Sequence, residues 1–95
     1  MNLIDSQDCN QFQTIKDFYR YAISKANEAN LYYGHGTDNA EDDLLWLILA
    51  SLNLPLAIDS NLLDARLAAS EKTYLLEQLS KRIDQRIPVS YLTNK

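Results

Sequence analysis

Apolar positions along the chain fall into stretches with helical spacing, separated by a few clear breaks. Between Ile15 and Asn30 they are Ile15, Phe18, Tyr19, Ala22, Ile23 and Ala26, three and four residues apart. That spacing is the stripe of one helical face, and Lys16, Arg20 and Lys25 fall outside it. Thr14 is placed to cap this helix, and Asp17 follows it in a capping-box pattern. A second helix is predicted from about Ala40 to Leu52, capped by Asp38 or Asn39. Glu41, Asp42 and Asp43 then sit at its positive dipole end. The run Leu44 to Ala50 is apolar on nearly every side, which predicts a helix surrounded by others at the centre.

Pro55 closes that segment, and a short third helix is predicted after Ser60, with Leu62, Leu63 and Leu67 as its apolar residues. A fourth helix is predicted from Ser70, read as its cap, to about Arg86, with Leu75, Leu76, Leu79 and Ile83 buried. Lys81, Arg82 and Arg86 gather where the negative dipole end favours cations. After Pro88 the residues Val89-Ser90-Tyr91-Leu92 are β-branched and aromatic, and read as an extended exit segment.

These elements define an all-α fold: a small helical bundle of three long helices and one short helix, with an extended C-terminal exit segment. The expected division is a flexible N-terminus over 1–13, a helical bundle domain over 14–87, and the start of a linker over 88–95. Phe18, Ile23, Leu45, Trp46, Leu49, Leu76, Leu79 and Ile83 are the expected core. Both glycines, Gly34 and Gly36, flank His35 in one loop, so β-hairpin turns have little material elsewhere.

Composition narrows the function classes. The 95 residues make one domain. A net charge of −4 repels phosphate, which argues against nucleic acid and for a basic protein as partner. The single cysteine, Cys9, forms no internal disulfide, which fits a reducing, cytoplasmic compartment. No apolar run approaches the roughly 20 residues of a membrane-spanning helix.

The search for reaction chemistry is negative. No glycine-rich phosphate loop, metal-ligand spacing or nucleophile–base pair is present, so no catalytic, cofactor-binding or metal residue is assigned. His35, between its glycines and after Tyr32 and Tyr33, has either a recognition role or an ordinary turn role. The acids Glu41 to Asp43 suit a basic partner, but the helix dipole also accounts for them. Trp46 reads as core rather than as a ligand-stacking residue. Lys81, Arg82 and Arg86 could touch RNA, yet a helix C-terminus explains them without it. Asp59-Ser60-Asn61 has the outline of a carrier-protein serine motif, and Ser60 as a helix cap explains the same residues.

Two segments carry a family likeness. Tyr33-Gly34-His35-Gly36-Thr37-Asp38-Asn39-Ala40 resembles the loop before the second helix of PrmB-type methyltransferases. Arg86-Ile87-Pro88-Val89-Ser90-Tyr91-Leu92-Thr93-Asn94 resembles the junction to their catalytic domain, one shared with the related HemK enzymes. Leu52 to Leu56 and Ala69 to Lys72 also fit.

The resemblance implies the N-terminal substrate-recognition domain of a protein-glutamine methyltransferase. Such an enzyme takes its methyl group from S-adenosylmethionine and acts on the basic large-subunit ribosomal protein L-three. The implied partners are that substrate and the enzyme's own C-terminal catalytic domain. The family's cofactor glycines and its Asn-Pro-Pro-Tyr motif lie beyond the junction, so none of its catalytic residues carries over to this chain. Tyr33, His35, Asp38, Asn39, Arg86 and Tyr91 are the residues the resemblance offers for substrate or interdomain contact. The alternative from a different class is a free-standing helical protein-interaction module.

Overall fold

The computed structural model describes residues 3–31, 39–55 and 60–93. Among them are four α-helices: α1 (Ile15–Ala29), α2 (Ala40–Ser51), α3 (Ala69–Ile83) and α4 (Val89–Thr93). Two 3-10 helices, Ser6–Gln11 and Ser60–Asp64, accompany them. The architecture is a small all-α domain.

Local chemistry sets the helix starts. The Thr14 hydroxyl accepts the Asp17 N–H at 3.1 Å, and the Asp17 carboxylate accepts the Thr14 N–H at 3.1 Å. The predicted capping box therefore starts α1. Asn39 caps α2 by accepting the Asp42 N–H at 2.8 Å. The start of α3 differs from expectation. Ala68, not Ser70, is the cap residue, and the Glu71 carboxylate reaches back to accept its N–H at 2.7 Å. A residue without a side-chain acceptor can hold the cap position because the acid three residues on satisfies that amide.

Helix α2 packs against α1, α3 and α4, which is the central position its apolar run predicts. Its buried face consists of Leu44, Leu47, Ile48, Leu49 and Ala50, while Leu45 and Trp46 are only half-buried. In α1 the buried set is Ile15, Phe18, Tyr21, Ala22 and Ala26. Ile23 and Tyr19 are half-buried, so Tyr21 takes the core place expected of them. The cause lies upstream: the Phe12 ring is 2% exposed and stacks on Tyr21 at 4.8 Å between centroids, with Phe18 edge-on at 5.3 Å. Phe18, Leu49, Leu76, Leu79 and Ile83 are core as expected.

The two ends of the chain depart from the sequence reading. Residues 3–13 were expected to be flexible, yet they contain the first 3-10 helix, which packs on α3. The Asp84 carboxylate fastens this segment by accepting the Leu3 N–H at 2.8 Å. The expected third helix after Ser60 is a 3-10 turn, followed by a short antiparallel pairing of Thr14 with Arg66. Helix α3 ends at Ile83 rather than near Arg86. Val89–Thr93, read as extended, is the helix α4, and Val89 is 1% exposed in the core. Pro88 does not block this helix, because it stands just before the first helical residue, where no helical N–H is required of it. The Pro88 carbonyl accepts the Tyr91 N–H at 3.0 Å. Val89 is thus part of the packed core.

Candidate functional site

At one edge of the bundle α1, the start of α2 and the end of α3 are tied together. Three side chains join these elements. Arg82, in the last turn of α3, donates its Nε–H to the Asp43 carboxylate in the first turns of α2 at 2.7 Å. Both side chains are 5% exposed. The acidic run therefore splits: Asp43 turns inward to an arginine, while Glu41 and Asp42 stay exposed. Each member of the pair also sits at the helix end its charge favours.

Arg86 lies one helical turn beyond Arg82, past the end of α3. Its guanidinium donates to the Ala29 carbonyl at 3.0 Å. Ala29 is the last residue of α1, whose final turn contains no basic residue of its own. The cation that helix C-terminus favours is thus supplied from 57 residues away. The third tie is Tyr19, whose hydroxyl donates to the Glu41 carbonyl at 3.0 Å and holds α1 against the start of α2. Burial, then the nearby Glu41 and Asp42 charges, push the Tyr19 hydroxyl above the ordinary tyrosine range.

Of the sequence-derived contact residues, Tyr33, His35 and Asp38 lie outside the described residues. Asn39 spends its side chain on the α2 cap, with its amide also donating to the Asp42 carboxylate at 3.4 Å. Arg86 bridges to α1, as above. Tyr91 is 70% exposed on α4 and is, with Tyr74, a large exposed hydrophobic residue of the described surface. Asn39 and Arg86 are therefore brought to one edge through Asp43–Arg82 and Ala29–Arg86. Sequence reasoning missed Asp43, Arg82 and Tyr19. The two charges at helix ends have a sufficient local explanation, and only tertiary contact reveals that they are buried against each other.

Two grooves lie elsewhere. One, of about 380 Å³, runs between Ile4 and the α3 residues Leu76, Ser80 and Lys81. The other, of about 300 Å³, is polar and lined by Asp8, Gln11, Arg20, Tyr21 and Lys25. There the Tyr21 hydroxyl donates to the Asp8 carboxylate, and the Lys25 ammonium stands over the Tyr21 ring at 5.5 Å. Burial first, then Asp8, hold the Tyr21 hydroxyl well above the ordinary tyrosine range. Among the described residues no group of three or more His, Cys, Asp or Glu could hold a metal ion. No helix among them is long and apolar enough to cross a membrane.

This all-helical domain matches protein methyltransferases in sequence. The relatives are ribosomal protein uL3 glutamine methyltransferases, and the chain is the counterpart of their N-terminal part. The Neisseria meningitidis serogroup B enzyme is 42% identical over 95 residues, 100% of this chain and 31% of that protein. The Neisseria gonorrhoeae enzyme is 44% identical over 90 residues, 95% of this chain and 30% of that protein. The N. meningitidis serogroup A enzyme again gives 42% over 95 residues, or 100% of this chain and 31% of its own length. The chain therefore spans less than a third of the curated relatives it matches. No family model matches the chain, and no solved structure does.

Proposed function

We propose that this chain is the substrate-recognition domain of an S-adenosylmethionine-dependent protein-glutamine methyltransferase that acts on ribosomal protein uL3 in the cytoplasm. The observation that carries the reading is identity of 42% sustained over the whole chain with enzymes named for that reaction. The domain's task is positional. It enlarges the contact surface so that one glutamine of the target reaches a separate catalytic domain in a fixed pose. The edge where α1, α2, α3 and α4 meet is the surface for it, and Glu41, Asp42 and Tyr91 are exposed there. A net charge of −4 favours encounter with a basic ribosomal protein.

The described residues do not fit the cofactor. A nucleoside cofactor of this kind is ordinarily held at a strand-to-helix turn of backbone amides, and the described residues are helices joined by turns. In this reading S-adenosylmethionine belongs to the catalytic domain.

Titration of the 95-residue chain with purified uL3, at two salt concentrations, tests the proposal. Saturable binding that weakens as salt rises is expected. Absence of binding at both salt concentrations overturns it.

A further inference from the structure

We infer that Arg86 is a positioning residue that sets how the α1 flank of segment 32–38 stands against the start of α2 and α4. That the edge it organises recognises a substrate rests on the function proposed above. The backbone gives the first indication. Arg86 has φ 58°, in the left-handed region where a glycine is the unstrained choice. The chain turns there out of α3, and the Ile87 N–H closes the turn on the Lys81 carbonyl at 3.1 Å. Glycine would make this turn at lower cost, so the arginine side chain needs a separate reason to be there.

Its contact supplies the reason. The guanidinium reaches the Ala29 carbonyl, two residues before Leu31, where the described chain leaves α1. Four residues earlier, Arg82 holds Asp43, four residues after Asn39, where the described chain enters α2. The end of α3 therefore grips both flanks of the segment, one through each arginine. On its other side the same turn leads, through Pro88, to the buried anchor Val89 and the exposed Tyr91. Arg82 is buried and locks the helices, whereas the Arg86 bond is exposed. Arg86 is thus the adjustable member. Removing its side chain while relieving its backbone should change the pose of the edge without dissolving the core.

Arg86→Gly makes that separation, since the lost hydrogen bond and the relieved φ act in opposite directions on stability. Backbone amide NMR of the 95-residue chain, wild type and variant, is the measurement. The expected result is displaced resonances at Leu31, Asn39 and Tyr91 with an unfolding midpoint close to wild type, and partial return in Arg86→Lys. Superposable resonances at Leu31 and Asn39 overturn the inference. So does a loss of amide protection throughout the chain, which would make Arg86 a general stabiliser. Titration with uL3 adds the functional arm: wild type binds, and Arg86→Gly binds about tenfold more weakly. Equal binding by both proteins overturns the inference. If wild type itself fails to bind, the recognition reading falls, and the resonances alone decide the role of Arg86.

Discussion

Removing one partner of the Asp43–Arg82 pair should cost this domain more than any surface change. The two groups are 2.7 Å apart and each side chain is 5% exposed. At an effective dielectric of ~20, their attraction is about 6 kcal/mol. Taking both ions out of water opposes it by several kcal/mol each, so the intact pair is close to neutral in net stability. Arg82→Met leaves the Asp43 carboxylate buried without its strongest partner, at a cost of about 3–5 kcal/mol. A domain of this size has only about 5–15 kcal/mol to lose. The melting temperature should fall by at least about 12 °C.

The double variant Asp43→Leu with Arg82→Met removes both charges and recovers most of that loss, because apolar replacement of a buried pair is often neutral or stabilising. Urea unfolding of wild type, both single variants and the double variant closes the cycle. A single-variant loss below about 1 kcal/mol would mean the pair is solvated and that the burial argument is wrong.

Two further outcomes follow from burial and ionisation. Phe18→Ala, at a fully buried position, should cost about 3–5 kcal/mol in urea unfolding, whereas half-buried Trp46→Ala should cost about half as much. Equal losses would put Trp46 in the core after all. The Tyr21 hydroxyl has a folded pKa raised above its unfolded value of about 10, so its contribution is full below that pH and is lost as pH rises through the folded value. Tyr21→Phe should therefore lose less stability than wild type above about pH 10, and parallel curves in alkaline unfolding would contradict the Asp8–Tyr21 contact.

What the sequence made legible was local. The capping box at Thr14 and Asp17, a cap at Asp38 or Asn39 and the all-apolar run of α2 each act within a few residues, and the structure has the capping box, takes Asn39 as the cap and buries most of the run. What it hid depended on distant partners. Tyr21 entered the core because Phe12, in a segment with no helical periodicity, came to lie on it. Asp43 and Arg82 looked like ordinary dipole charges because each lies 39 residues from the group that explains its burial. Helix α4 was read as extended from the β-branched character of its residues, but burial of Val89 against α2 and α3 outweighed that propensity. The contact residues divide in the same way: a cap at Asp38 or Asn39 was legible, and Asn39 takes it, while the reach of Arg86 to Ala29 left no trace in local pattern.

Whether this domain presents uL3 to a methyltransferase can be decided by exchange into a relative. The N-terminal part of the Neisseria meningitidis uL3 glutamine methyltransferase is either deleted or replaced by this chain, which is 42% identical to it. Transfer of a labelled methyl group to uL3 is then measured beside binding of S-adenosylmethionine. The deleted protein should still bind the cofactor but lose methyl transfer to uL3. The exchanged protein should recover transfer to within about tenfold of the parent. Undiminished methylation of uL3 by the deleted protein would show that this part of the enzyme has no role in presenting uL3.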